Sequence, residues 1–126
     1  MSAEFAPSQS GLPDASWSEL LRWLLQRRHR FRVTGNSMLP LLRPGDLVLV
    51  NRHAYSHKSP QPGDVVVARD PRQPSFKLIK RVDAVMQDGR CFLLSENPAE
   101  GTDSRTFGAV PPDHVLGQVT CYIRTK

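Results

Sequence analysis

The sequence predicts a mainly β protein, an antiparallel β-sheet domain with one short amphipathic helix near its N-terminus. Three observations lead there. Glycine and proline are frequent, 8 and 11 of 126 residues, and they punctuate short runs of Val, Ile and Leu. Only one segment, from Trp17 to Leu25, repeats its apolar residues at helical spacing. The length suits one hydrophobic core and not two, so a single catalytic-sized domain is expected over residues 16–126.

Residues 1–15 are rich in Ser, Ala and Pro, include Glu4 and Asp14, and hold no apolar stretch. They read as a disordered tail and not as a secretory leader. Ser16 then stands three residues before Glu19, a capping box that starts a helix over about 16–28. Trp17, Leu20, Leu21, Leu24 and Leu25 form its apolar stripe, and Arg27 and Arg28 fall in the last turn, where positive charge is favourable. At roughly thirteen residues it is shorter than the ~20 needed to span a bilayer, so no transmembrane anchor is expected. The stripe has three open uses: packing on its own domain, receiving a partner, or peripheral membrane contact through residues 17–25, aided by Arg22, Arg27, Arg28 and Arg30.

From Phe31 the pattern becomes short strands and turns. Phe31-Arg32-Val33-Thr34 alternates and runs into a turn at Gly35. Pro44-Gly45-Asp46 and Pro62-Gly63-Asp64 are twin turns, each feeding a β-rich run, Leu47–Val50 and Val65–Ala68. Residues 51–61 and 70–75 read as loops. A hairpin follows, with strands over 77–86 and 91–94 about an Asp88-Gly89 turn. Residues 95–108 read as irregular. Residues 115–123 form the closing strand, with Val119, Cys121 and Ile123 on one face.

The chain carries a formal charge of +5. Its arginines cluster on the short helix without stacking aromatics in a recognised motif, so nucleic acid is not an expected partner. Cys91 and Cys121 each lie in an apolar run and read as core thiols. His53 and His57 are four apart, but Ser56, Ser59 and Pro60 make that segment a loop, so no metal site and no cofactor are expected.

The chemistry centres on Gly35-Asn36-Ser37-Met38-Leu39-Pro40. A serine in a glycine-led turn can present its hydroxyl, but it needs a base to become a nucleophile. No His or Asp near it offers a triad, whereas Phe76-Lys77-Leu78-Ile79-Lys80-Arg81-Val82 offers lysines. Read as a strand, this run puts Phe76, Leu78, Lys80 and Val82 on one face and Lys77, Ile79 and Arg81 on the other. Lys80 thus points into an apolar face, where burial lowers an amine's pKa, while Lys77 meets solvent. Ser37 and Lys80 are the expected catalytic dyad.

These residues resemble the signal peptidase I family of serine–lysine proteases. Ser37-Met38-Leu39-Pro40 with Arg43-Pro44-Gly45-Asp46-Leu47-Val48-Leu49-Val50 is similar to that family's nucleophile box, and Pro62-Gly63-Asp64-Val65-Val66-Val67 to its next. Lys80-Arg81-Val82 resembles the lysine box, and Thr102-Asp103-Ser104-Arg105 with Gly108, Val110 and Pro111 the last. The resemblance implies the β fold that signal peptidases share with self-cleaving repressors. It also implies peptide-bond cleavage through an acyl-enzyme, with the Ser37 N–H as an oxyanion donor. Gly35, Asn36 and Met38 would shape the oxyanion and substrate positions, and Asp103, Ser104 and Arg105 would support the site. Two hydroxyls of the family pattern are absent. Gly35 stands where many members carry a serine beside the oxyanion, and Gly101 where many carry one bonded to the lysine, with Thr102 the nearest substitute.

Within that family the run from Arg30 to Val50 looks most like the soluble proteases that mature nickel-type superoxide dismutase. That likeness implies a cytoplasmic serine endopeptidase removing the N-terminal propeptide of a nickel superoxide dismutase precursor. The alternative is a general leader peptidase held peripherally at a membrane. A self-cleaving repressor would need a DNA-binding domain and an Ala-Gly or Cys-Gly site before the serine, and residues 1–34 show neither.

Overall fold

The computed structural model describes Trp17 and residues 29–124. The expected tail at 1–15 and the helix at about 16–28 lie outside the described residues, apart from Trp17, which is helical in conformation and exposed. Among the described residues no helix is long and apolar enough to cross a membrane.

Six strands form one antiparallel sheet: β1 (His29–Arg32), β2 (Leu47–Asn51), β3 (Val65–Asp70), β4 (Gln73–Val85), β5 (Cys91–Leu94) and β6 (Val115–Ile123). Their spatial order is β1-β2-β6-β3-β4-β5. The Val- and Leu-rich runs after the two Pro-Gly-Asp turns are interior strands, β2 and β3, on either side of β6, as expected of residues that pack well on a pleated surface. The two turns are built alike. Asp46 N–H donates to the Arg43 carbonyl while the Asp46 carboxylate accepts from Arg43 N–H, and Asp64 and Gln61 repeat both bonds. Asp46 is buried against Arg124, whose guanidinium also lies over Tyr122, so the first turn is fastened to the end of β6.

Both sheet faces are covered. Val48, Val50, Val65, Val67 and Val119 face Val33, Met38, Leu41 and Leu42, so the segment carrying Ser37 is itself a wall of the core. On the other face Val66, Ala68 and Val82 pack with Cys91, Leu93 and Val110. Cys91 and Cys121 are buried free thiols.

Four expectations need correction. The loop at 70–75 is a tight reversal: the Asp70 carboxylate accepts from Arg72 N–H and Asp70 already pairs with Gln73. Pro74 fits inside β4 because the β3–β4 register slips there, between Arg69 and Asp70, and because β5 reaches only Arg81–Val85, so no ladder bond is asked of it. Phe76, expected on the apolar face, is 56% exposed; it falls between Gln73 and Lys77, where the β3–β4 register slips and the alternation of faces is broken. The stretch from 95 to 108 contains a one-turn helix, α1 (Ser104–Phe107), capped by the Asp103 side chain accepting from Arg105 N–H. Val119 does not share a face with Cys121. An extra residue in β6, at Thr120 opposite Leu49/Val50, turns Val119 to the core of Val48 and Val50 and leaves Cys121 with Ile123 in a separate cluster around Leu49.

Candidate active site

The Ser37 turn is held from within and from across the fold. Gly35 adopts φ 75°, Leu39 N–H donates to the Asn36 carbonyl, and Leu42 N–H donates to the Met38 carbonyl. The Leu39–Pro40 peptide bond is cis. Met38, fully buried, packs its side chain into the core and also walls the cavity beside Ser37. Its burial stabilises the turn by about 2 kcal/mol. From the far side Asn97 clamps the same turn: its N–H donates to the Ser37 carbonyl at 2.8 Å and its side-chain amide to the Asn36 carbonyl at 3.2 Å. Among the described residues nothing accepts from the Ser37 N–H.

Lys80 projects from β4 on the face of Val66 and Val82, and it is 3% exposed. It is the last residue of β4 before the pairing with β5 begins at Arg81, so it stands where that edge of the sheet opens. Burial pushes the Lys80 amine below its ordinary value; Asp103 opposes this, Arg105 reinforces it, and Asp70 opposes it from further away. Its Nζ donates to Ser95 Oγ at 3.0 Å. Lys77, on the alternate face, is exposed, with its Nζ over the Phe31 ring at 5.4 Å.

Gly101 joins the two groups. A Cβ built there would collide with Ser37 Cβ and would lie 3.3 Å from both Lys80 Nζ and Ser95 Oγ. The serine and the amine therefore flank one glycine, whose φ of 80° also disfavours any side chain. Two cavities meet at the pair, one of about 150 Å³ walled by Val33, Met38, Val67 and Ile79, and a more open one of about 370 Å³ past Gly35, Phe76 and Gly101. A peptide crossing from one to the other would pass both groups.

Asp103, Ser104 and Arg105 act behind this pair. The buried Asp103 carboxylate accepts from Ser95 N–H at 2.9 Å and from Arg105 at Nε and Nη2. Burial alone would raise its pKa, but the Arg105 guanidinium and the Ser95 and Arg105 amides outweigh that and hold it at about 2. Ser104 Oγ accepts from Leu93 N–H, which ties α1 to β5. Asp103 thus fixes the backbone of Ser95, and Ser95 meets the lysine. Ser95 and Asn97 are the residues that sequence reasoning missed; the hydroxyl bonded to Lys80 is that of Ser95, six residues before Gly101.

The family model for "Signal peptidase, peptidase S26" matches residues 26–88, which include Ser37 and Lys80. The chain belongs to the signal peptidase family, peptidase S26. Among curated relatives, it is 38% identical over 85 residues to the mitochondrial ATP-independent inner membrane protease subunit 1b of Arabidopsis thaliana, covering 67% of this chain and 48% of the relative. It is 34% identical over 119 residues to signal peptidase I of Pseudomonas aeruginosa, covering 76% and 42%. It is 31% identical over 109 residues to the mitochondrial inner membrane protease subunit 1 of Xenopus tropicalis, covering 68% and 63%. The chain spans roughly half the length of these curated relatives.

Proposed function

We propose that this chain is a serine endopeptidase that removes an N-terminal segment from a protein precursor with Ser37 as nucleophile and Lys80 as base. The observation that carries the reading is the convergence of the Ser37 turn and a buried, basicity-depressed lysine on the two sides of Gly101. Neutral Lys80 takes the Ser37 hydroxyl proton as the oxygen attacks the scissile carbonyl. The tetrahedral oxyanion is met by the Ser37 N–H, and Gly35 and Asn36 border the same space. Lys80 then gives its proton to the leaving amine, and the acyl-enzyme is released by a water that the same amine deprotonates. Ser95 aims the amine, Asp103 and Arg105 hold Ser95, and Asn97 holds the nucleophile turn.

Two substrate readings rest on different supports. The run from Arg30 to Val50 favours a nickel superoxide dismutase precursor cleaved in the cytoplasm, where release of a new N-terminal amine would free a metal ligand. The relatives named signal peptidase I favour a general leader peptidase. Purified protein is mixed with each precursor, and the intact mass of the product is read. Cleavage of the dismutase precursor to a single shortened product, lost in Ser37→Ala and in Lys80→Ala, is the expected result. Cleavage of a secretory leader alone would leave the protease and overturn the maturation reading. Full activity in Ser37→Ala would overturn both.

A further inference from the structure

Beside the small cavity at Ser37 lies a second pocket of about 220 Å³ on the same face of the sheet. Phe31 and Lys77 line both, so the two are continuous. Its floor is apolar, from Phe31, Val50 and Leu116, and its rim carries His29, Arg52, Arg69 and Lys77. Among the described residues no carboxylate lines it. Five arginines elsewhere, Arg72, Arg81, Arg90, Arg105 and Arg124, each pair with an Asp or Glu, while Arg30, Arg32 and Arg43 are spread outside the pocket. Among the described residues Arg52, Arg69 and Lys77 have no such pair; Arg52 meets His29 Nε2 at 2.7 Å, Arg69 donates to the Pro74 carbonyl, and Lys77 lies over Phe31. The imidazole of His29 is correspondingly less basic than usual, through burial first and then the charges of Arg52, His53 and Lys77. Uncompensated positive charge around a concave, apolar-floored site is complementary to a carboxylate carried on an extended chain.

We propose that this pocket is a second recognition site, which seats an Asp- or Glu-bearing segment of the same peptide whose scissile bond lies at Ser37. A peptide is favoured over a membrane surface by the pocket's concavity, its continuity with the Ser37 cavity, and the position of the large exposed apolar side chains. Trp17, Phe76 and Met86 do not line it, whereas a lipid-facing basic patch pairs its charges with inserting apolar groups. Cleavage of the seated peptide at Ser37 rests on the proteolytic reading; the binding of an acidic segment does not.

Binding is therefore measured apart from cleavage. Two labelled peptides of one apolar sequence, one with a Glu-Asp pair and the other with Gln-Asn, are titrated with the Ser37→Ala protein by fluorescence anisotropy. The acidic peptide should bind about 10-fold more tightly at low salt, and added salt should erase the difference. Arg52→Gln with Arg69→Gln should remove the preference and leave the neutral peptide's affinity in place, while Lys58→Gln, outside the pocket, should keep it. With active protein the same double variant should raise KM for the acidic peptide and leave kcat unchanged. Equal binding of the two peptides overturns the proposal, as does a preference that survives in the double variant. Retention on phosphatidylcholine–phosphatidylserine vesicles that the double variant loses, without any peptide preference, assigns the pocket to a membrane surface instead. Tight acidic binding without cleavage of either peptide would sink the proteolytic reading and leave the pocket standing.

Discussion

Ser95→Ala removes one oxygen and leaves the backbone bond from Ser95 N–H to Asp103 intact. Lys80 Nζ loses its acceptor at 3.0 Å in a buried setting. A bond of this kind contributes about 1 kcal/mol when the amine is neutral and about 2 kcal/mol when it is charged. The difference, about 1 kcal/mol, favours the protonated amine and amounts to a little under one pH unit. Deleting the hydroxyl should therefore lower the Lys80 pKa further, and kcat/KM should begin to rise with pH almost one unit earlier than in the parent. The plateau should fall about 5-fold, since the neutral amine is less well aimed. The assay is a pH profile of kcat/KM on a precursor peptide, with thermal melting run in parallel. A reduced Tm with the midpoint unmoved would mean that Ser95 only supports the fold. An unchanged rate and midpoint would refute its contact with the working base.

In Gly101→Ala the new methyl collides with Ser37 Cβ at a backbone of φ 80°, and an ångström of displacement at the nucleophile should lower kcat/KM by about 100-fold. Single-turnover rates with a melting curve check it; an active variant would mean that the turn yields. Asp103 titrates at about 2 folded against about 3.9 unfolded, so its ion pair stabilises the fold by about 2 kcal/mol above pH 4. That contribution should vanish as pH falls through 2, and urea titrations across pH should show an acid slope that Asp103→Asn abolishes. Parent activity should rise with pH and level off below the ordinary lysine value near ~10.4, since only the neutral Lys80 amine accepts a proton. A flat profile with chemistry rate-limiting would remove Lys80 as the base.

Much of this was legible in the sequence because it depends on local period. Alternation along 76–82 separates Lys80 from Lys77, and the structure buries the first and exposes the second. The two Pro-Gly-Asp turns announce β2 and β3 for the same reason. Ser95 was hidden by a single residue. Counting back from the Asp88-Gly89 turn without a bulge sets Ser95 against Arg81; the register slip between Val82 and Ala84 sets Leu94 against Arg81 and so carries Ser95 to Lys80. The bulge in β6 misled the face of Val119 in the same way. Asn97 and Gly101 gave no periodic signal, since they act through loop backbone whose path is set by distant contacts.

The sheet order puts the Ser37 turn and the Lys80 strand in two separate sets of strands. β1 and β2 frame Ser37, β3, β4 and β5 carry Lys80, and within the sheet only β6 joins one set to the other. The sets also meet off the sheet, where Met38 and Leu41 pack with Val65 and Val67 and Asn97 clamps the Ser37 turn. In a chain still short of residue 115, those packing and loop contacts would have to hold the serine beside the lysine without any shared ladder. The last strand made is thus the one that turns two separately paired ladders into a single sheet.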